Sequence, residues 1–141
     1  MSETQGSRHI WGSIWAVVAG FIVVVVLSLG TDALLSMVGL FPKLGQPIAD
    51  ERLLLLATVY RSAYGVVGGF ITARLAPVRP MFHALVGGAI GLVLATVGAI
   101  VAWNLGPEFG PHWYPISLVV TAMPCAWLGG KLAERRARRP N

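Results

Sequence analysis

Residues 53–75 read LLLLATVYRSAYGVVGGFITARL. The stretch is long and apolar enough to cross a bilayer, for which roughly 20 residues suffice. It carries a cation, Arg61, near its middle, with glycines behind it at 65, 68 and 69. An isolated charge in hydrocarbon costs about 2.5–3.5 kcal/mol even on the lenient insertion scale, so Arg61 calls for a partner. The rest of the chain reads as three further spanning helices that enclose this one.

The bulk composition points the same way. Of 141 residues, 55% are hydrophobic and 12% charged, whereas a water-soluble domain is about a quarter charged. So short a chain cannot hide that much apolar side chain from water, because small domains bury a limited share of their surface. The net charge of +5 is concentrated: five of the 11 Lys and Arg residues lie in the last 11 positions, beside an apolar segment. That placement suits anionic lipid headgroups and argues against nucleic acid as a partner. A single cysteine, Cys125, excludes an intramolecular disulfide.

Taken in order, residues 1–9 are polar and expected to be disordered. Residues 10–41 are apolar except for Asp32 and scattered Ser, Thr and Gly, giving a first helix over about 11–40. The alternative, a cleaved signal peptide, lacks a small-x-small site after Leu29, and apolar character resumes after Asp32. Residues 42–50 (PKLGQPIAD) form a Pro/Gly loop. The second helix spans about 52–76, a short Pro77–Pro80 turn follows, and the third helix spans about 81–103. A second Gly/Pro loop (NLGPEFGPH, 104–112) leads to the fourth helix, about 113–133. Pro115 suits that helix's first turn and Pro124 predicts a kink within it. Residues 134–141 form a basic tail. The fold class is therefore all-α: four transmembrane helices in a compact antiparallel bundle.

Lys and Arg set the orientation. Arg8, Arg74, Arg79, Lys131, Arg135, Arg136, Arg138 and Arg139 fall on one side, Lys43 and Arg52 on the other. Eight against two places both termini in the cytoplasm and the chain in the cell (inner) membrane. Trp11, Trp15 and Trp127 then mark the inner interface, and Trp103, Trp113 and Tyr114 the outer one. Gly68-Gly69 and Gly129-Gly130 each precede an arginine by five residues, Arg74 and Arg135. The match is consistent with duplicated two-helix units of parallel topology.

Asp32 lies nine residues before Phe41, and Arg61 nine after Arg52. At about 1.5 Å per residue both sit roughly 13 Å inside the outer helix ends, so the two charges can meet at one depth. Three readings stay open: a substrate or proton site with Tyr60 and Tyr64 beside it, a structural ion pair that fixes register, or an Asp32 that reaches the outer headgroups. Polar residues recur every four positions at Ser28, Asp32 and Ser36, and at Ser117, Thr121 and Cys125. A further stripe runs through Thr58, Arg61, Gly65, Gly68 and Thr72. Such stripes line a narrow cavity or hydrogen-bond between helices.

Small residues stand four apart at Gly12, Ala16 and Gly20, at Gly65 and Gly69, at Gly87, Gly91, Ala95 and Ala99, and at Ala122, Ala126 and Gly130. These ridges let helix backbones approach, within the bundle or across a dimer face. His83 reads as an interfacial histidine rather than a metal ligand, and Cys125 as an apolar filler. Arg135, Arg136, Arg138 and Arg139 are topology determinants that also contact anionic lipid. No metal site, cofactor site or catalytic motif is read from the chain.

The runs Gly68–Pro77, Arg79-Pro80-Met81, His83-Ala84, Trp113-Tyr114-Pro115 and Ala126–Gly130 together resemble a group of small bacterial four-helix membrane proteins. The resemblance covers most of the chain and implies no activity. Small multidrug exporters have similar length and helix number but carry a glutamate in the first helix. Asp32, late in its helix, is the sole counterpart here, and no site is carried over. The expected role is a non-enzymatic accessory or oligomerising membrane subunit. The alternative is a small-solute or proton-coupled transporter or channel using Asp32 and Arg61.

Overall fold

A computed structural model describes residues 2–43 and 45–139 of the chain. It holds four long helices, α1 (Ser2–Met37), α2 (Glu51–Leu75), α3 (Pro80–Leu105) and α4 (Trp113–Ala137), and a single 3-10 turn at Pro107–Phe109. Each of the four is long and apolar enough to cross a membrane.

Two boundaries depart from expectation. The polar segment expected to be disordered is helical from Ser2 onward. Residues 2–9 contain one glycine and no proline, so nothing in them stops an apolar helix from extending its hydrogen-bond ladder outward. At the other end α1 stops at Met37, short of residue 40. Gly39 adopts φ 79°, and the Leu40 amide reaches back to the Leu35 carbonyl at 2.9 Å while that of Gly39 bonds Ser36 at 3.1 Å. This is a Schellman ending, which the left-handed residue makes possible and glycine adopts without strain. Pro42 follows at once.

Helix α4 continues four residues past 133 and runs unbroken through Pro124, although the missing N–H removes one rung of its ladder. Helix α2 begins at Asp50, whose carboxylate accepts the Arg52 amide at 2.8 Å. Between α2 and α3 the chain turns within Ala76–Arg79. Arg79 holds the left-handed φ of 47° that lets Pro80 open α3.

Helix α2 is the centre: it packs against α1, α3 and α4, while α1 and α4 do not meet among the described residues. Gly20 of α1 lies on Gly68 and Thr72, and further along α1 Asp32 reaches Arg61, so positions fall along α2 as they rise along α1. On the other side α2 and α4 run the same way: Thr58 faces Ser117, Gly65 faces Cys125 and Gly69 faces Ala126. Gly69 and Gly129 thus share the α2–α4 seam, while Gly68 faces α1 and Gly130 faces α3.

The start of α1, the α2–α3 turn and the end of α4 gather at one end, where Gly12 lies on Pro77 and Gly130 on Ala84 and Met81. We call this the turn end. The 38–50 and 106–112 loops meet at the other, with the Ile48 carbonyl against Gly110. This is the loop end.

The core is built from small residues. Ala16, Ala57, Ala73, Ala84, Ala126 and Ala133 are buried, and among the described residues the large apolar side chains that join them are Leu54 and Phe41, toward the loop end. The large apolar groups point outward: Trp15 is 64% exposed, Ile22 51%, Val59 62%, Val93 61% and Val120 65%. A contiguous apolar exterior of this kind far exceeds the few hundred Å² that a water-soluble monomer tolerates. The tight contacts concentrate toward the turn end, where Ala73, Ala84 and Ala133 cluster with Phe70.

Candidate functional site

The charged residues on α1 and α2 face each other in the loop-end half of the molecule. Arg61 Nη2 donates to Asp32 Oδ2 at 2.6 Å, and the Tyr60 hydroxyl donates to Asp32 Oδ1. Asp32 therefore keeps a partner on each carboxylate oxygen. Tyr64, one turn beyond Tyr60 with ring centroids 5.7 Å apart, instead exchanges a 2.7 Å hydrogen bond with Thr31. The two tyrosines tie α2 to α1 twice, through Asp32 and through its neighbour Thr31. Arg61 Nε is buried and has no acceptor. In a low-dielectric interior such a donor normally finds one.

A cavity of about 250 Å³ runs from Arg61 toward the turn end. It lies between α1 and the α3–α4 pair, where α1 packs chiefly on α2, touches α3 more lightly and does not meet α4 among the described residues. All four helices line it, through Val17, Gly20 and Ser28 of α1, Arg61, Ser62 and Thr72 of α2, Gly87 and Gly91 of α3, and Thr121 and Cys125 of α4. A second cavity, about 270 Å³, lies under the 106–112 loop among Ala99, Ala102, Phe109, His112 and Tyr114. Trp103 stacks on His112 at 3.9 Å beside it.

The polar stripes are satisfied mostly within their own helices: Thr31, Thr58, Thr96 and Thr121 each donate to the carbonyl four residues back. Thr58–Ser117 at 3.4 Å is a cross-helix contact. Ser36 leaves the Ser28–Asp32 face and bonds the Pro42 carbonyl at 3.0 Å. His83 is buried and its Nδ1 lies 3.1 Å from the Arg79 carbonyl, so it braces the turn rather than facing an interface.

The small-residue ridges divide. An added methyl at Gly65 would sit 3.2 Å from Cys125, and one at Gly69 would sit 2.8 Å from the Ala126 carbonyl. At Gly87 the nearest atom is 3.8 Å away, and at Gly91 nothing lies within 4 Å. Gly87 thus keeps ordinary contact with Thr72 of α2 and Val17 of α1, both Gly87 and Gly91 line the cavity, and α3 meets α4 more closely through Gly88, which faces Ala126. Sequence reasoning missed Gly88 and Gly129. Gly129 is the tightest point of the α2–α4 seam, where a methyl would overlap the Val66 carbonyl. The doubled glycines were the available signal.

Arg135, Arg136, Arg138 and Arg139 are exposed at and just beyond the end of α4. Among the described residues no three His, Cys, Asp or Glu side chains come together as a metal site. Comparison with protein-family models, curated proteins and solved structures gives no match.

Proposed function

We propose that this chain is a multi-pass integral membrane protein that binds and passes a small solute through a cleft ending at Arg61, without catalysing a reaction. Successive helices cross the cell membrane in opposite directions, with both termini in the cytoplasm. Support for the membrane comes from the inverted packing, small residues inside and large apolar ones outside. Support for the orientation comes from the basic residues, eight of which lie at the turn end and its flanks, with Arg135, Arg136, Arg138 and Arg139 set against anionic headgroups. Trp11, Trp15 and Trp127 toward one end and Trp103 and Trp113 toward the other fit the two interfaces.

The observation that carries the functional reading is the cavity that all four helices line and that reaches Arg61. Membrane proteins keep ionisable groups at depth mainly where they face a cavity or a partner, and Arg61 does both. Its volume suits a compact molecule.

Gly91 supplies the test. A larger side chain there enters open space, so Gly91→Leu fills the cavity without moving backbone. A solute library is screened by thermal unfolding in detergent against wild type and Gly91→Leu together. A ligand at 100 times its Kd adds about 2.7 kcal/mol to wild-type stability. The expected result is a compound whose shift disappears in Gly91→Leu. Shifts that survive the substitution sink the reading.

A second reading, an accessory or oligomerising subunit, is favoured by the internal satisfaction of Asp32, which is what a structural clamp requires.

A further inference from the structure

The two cavities abut. The inner one is lined on α3 by residues between Ala84 and Ala95 and on α4 by residues between Leu118 and Ala126. The other is lined on α3 by residues from Ala95 to Ala102 and on α4 by Tyr114, Pro115 and Leu118. Ala95 and Leu118 belong to both walls. Along α3 the pair extends from position 84 to 102, a rise of about 27 Å, against a hydrocarbon core of about 30 Å.

We propose that the two cavities are consecutive compartments of one route along the α3–α4 seam, entered from the loop end and narrowed midway by Ala95 and Leu118. The inference rests on the solute-binding reading above and specifies how the solute reaches Arg61.

The two ends of the route differ in build. At the loop end the outer compartment is roofed by a short connection whose Gly106 and Gly110 both hold positive φ, at 105° and 100°. At the turn end the inner compartment stops against Ala84, Gly88 and Ala126, where Gly88 lies tight on Ala126 with the Met123 sulfur beside it. The proposed entrance therefore lies beneath the loop connection, and the proposed closed end lies where Gly88 packs on Ala126. A solute that passes Leu118 meets Arg61 as the first cation in the wall, with its buried Nε lacking an acceptor. The Asp32 carboxylate already balances the guanidinium charge. The molecule that fits is small, mainly apolar and uncharged, and carries a hydrogen-bond acceptor such as a carbonyl or ether oxygen.

Cys125, the single cysteine of the chain, lines the inner compartment and packs on Gly65, so it reports on passage beyond Leu118. Intact cells expressing the full chain are treated from outside with a charged methanethiosulfonate, which does not cross lipid. The rate at which Cys125 is modified is compared among wild type, Ala95→Phe, which fills the narrowing, and Leu118→Ala, which widens it.

The expected result is modification of wild type from outside, at least tenfold slower in Ala95→Phe and severalfold faster in Leu118→Ala. In inverted vesicles the same reagent is expected to react far more slowly. Faster reaction from the turn side, or rates indifferent to both substitutions, overturns the route. Should Ala95→Phe fail to accumulate, Leu118→Ala against wild type decides alone. N-ethylmaleimide, which enters through lipid, separates the two proposals. If it alone reaches Cys125, the route is wrong, while solute binding at Arg61 stands or falls on Gly91→Leu.

Discussion

Asp32 uses its two oxygens differently: Oδ2 holds the Arg61 guanidinium and Oδ1 holds the Tyr60 hydroxyl. Removing either charge leaves the other without its partner in a poorly solvated place, whereas removing both leaves two neutral groups able to hydrogen-bond. Asp32→Asn and Arg61→Gln are each expected to lower stability in detergent, and the double substitution to lose less than their sum, with a coupling of about 1–3 kcal/mol. If the single changes leave stability unchanged or raise it, the clamp reading fails and the groups are held at a cost to the fold. The encounter of these residues was legible in the sequence because Asp32 and Arg61 stand at similar distances on either side of one loop, although α1 ends at Met37 and brings Asp32 nearer its end than the sequence implied. The orphan Arg61 Nε and the cavity beside it were not. Both depend on the gap between α1 and α4, a packing relation between segments about 100 positions apart in which no residue type stands out.

Glycine pairs set how closely the helices approach. Gly129 sits where α2 and α4 bring backbone to backbone, and Gly98 of α3 has nothing within 4 Å of where a Cβ would lie. Gly129→Ala must part the two helices and is expected to cost about 1–3 kcal/mol, as overpacked sites do. Gly98→Ala relieves backbone freedom at no steric cost and is expected to gain about 0.5–1 kcal/mol. Thermal unfolding of the two variants in one detergent checks the contrast, and equal effects would show that the seam yields more readily than its geometry implies. A stride of four reveals that a helix has a small-residue face. It does not reveal which of two adjacent glycines points at the neighbour, and α3 uses Gly88 where the stride marks Gly87 and Gly91. The end of α1 was readable in principle: Gly39 followed by Pro42 is a stop signal, overridden in the reading by the apolar residues around it.

Across the whole molecule, the turn end is packed through small residues, whereas the loop end buries Phe41 and Leu54 and holds the second cavity. In the proposed topology the turn end faces the cytoplasm. A fluorescent protein fused after Asn141 is expected to mature and fluoresce, and alkaline phosphatase inserted at Gly106 to be active. Inactive phosphatase at Gly106 would reverse the assignment. Neutralising Lys131, Arg135, Arg136, Arg138 and Arg139 removes five of the eight basic residues on that side, and a mixed orientation is the expected consequence. Four spans were legible because length and apolarity suffice to mark them. Their lopsided arrangement, with α1 leaning chiefly on α2 and away from α4, was not, since four apolar helices can be arranged around one another in several ways of similar local pattern.

The charge pair also fixes a sequence of events during synthesis. Asp32 and Arg61 are 29 positions apart, so at about 5–20 residues per second the ribosome delivers the acid roughly 1.5–6 s ahead of its base. In the proposed membrane topology α1, among the most apolar of the four, enters the bilayer with an unanswered carboxylate, and α2, less apolar and burdened with Arg61, arrives to find its counter-ion already waiting. The more easily inserted helix thus shelters the less easily inserted one, and the salt bridge records the order in which the chain was made.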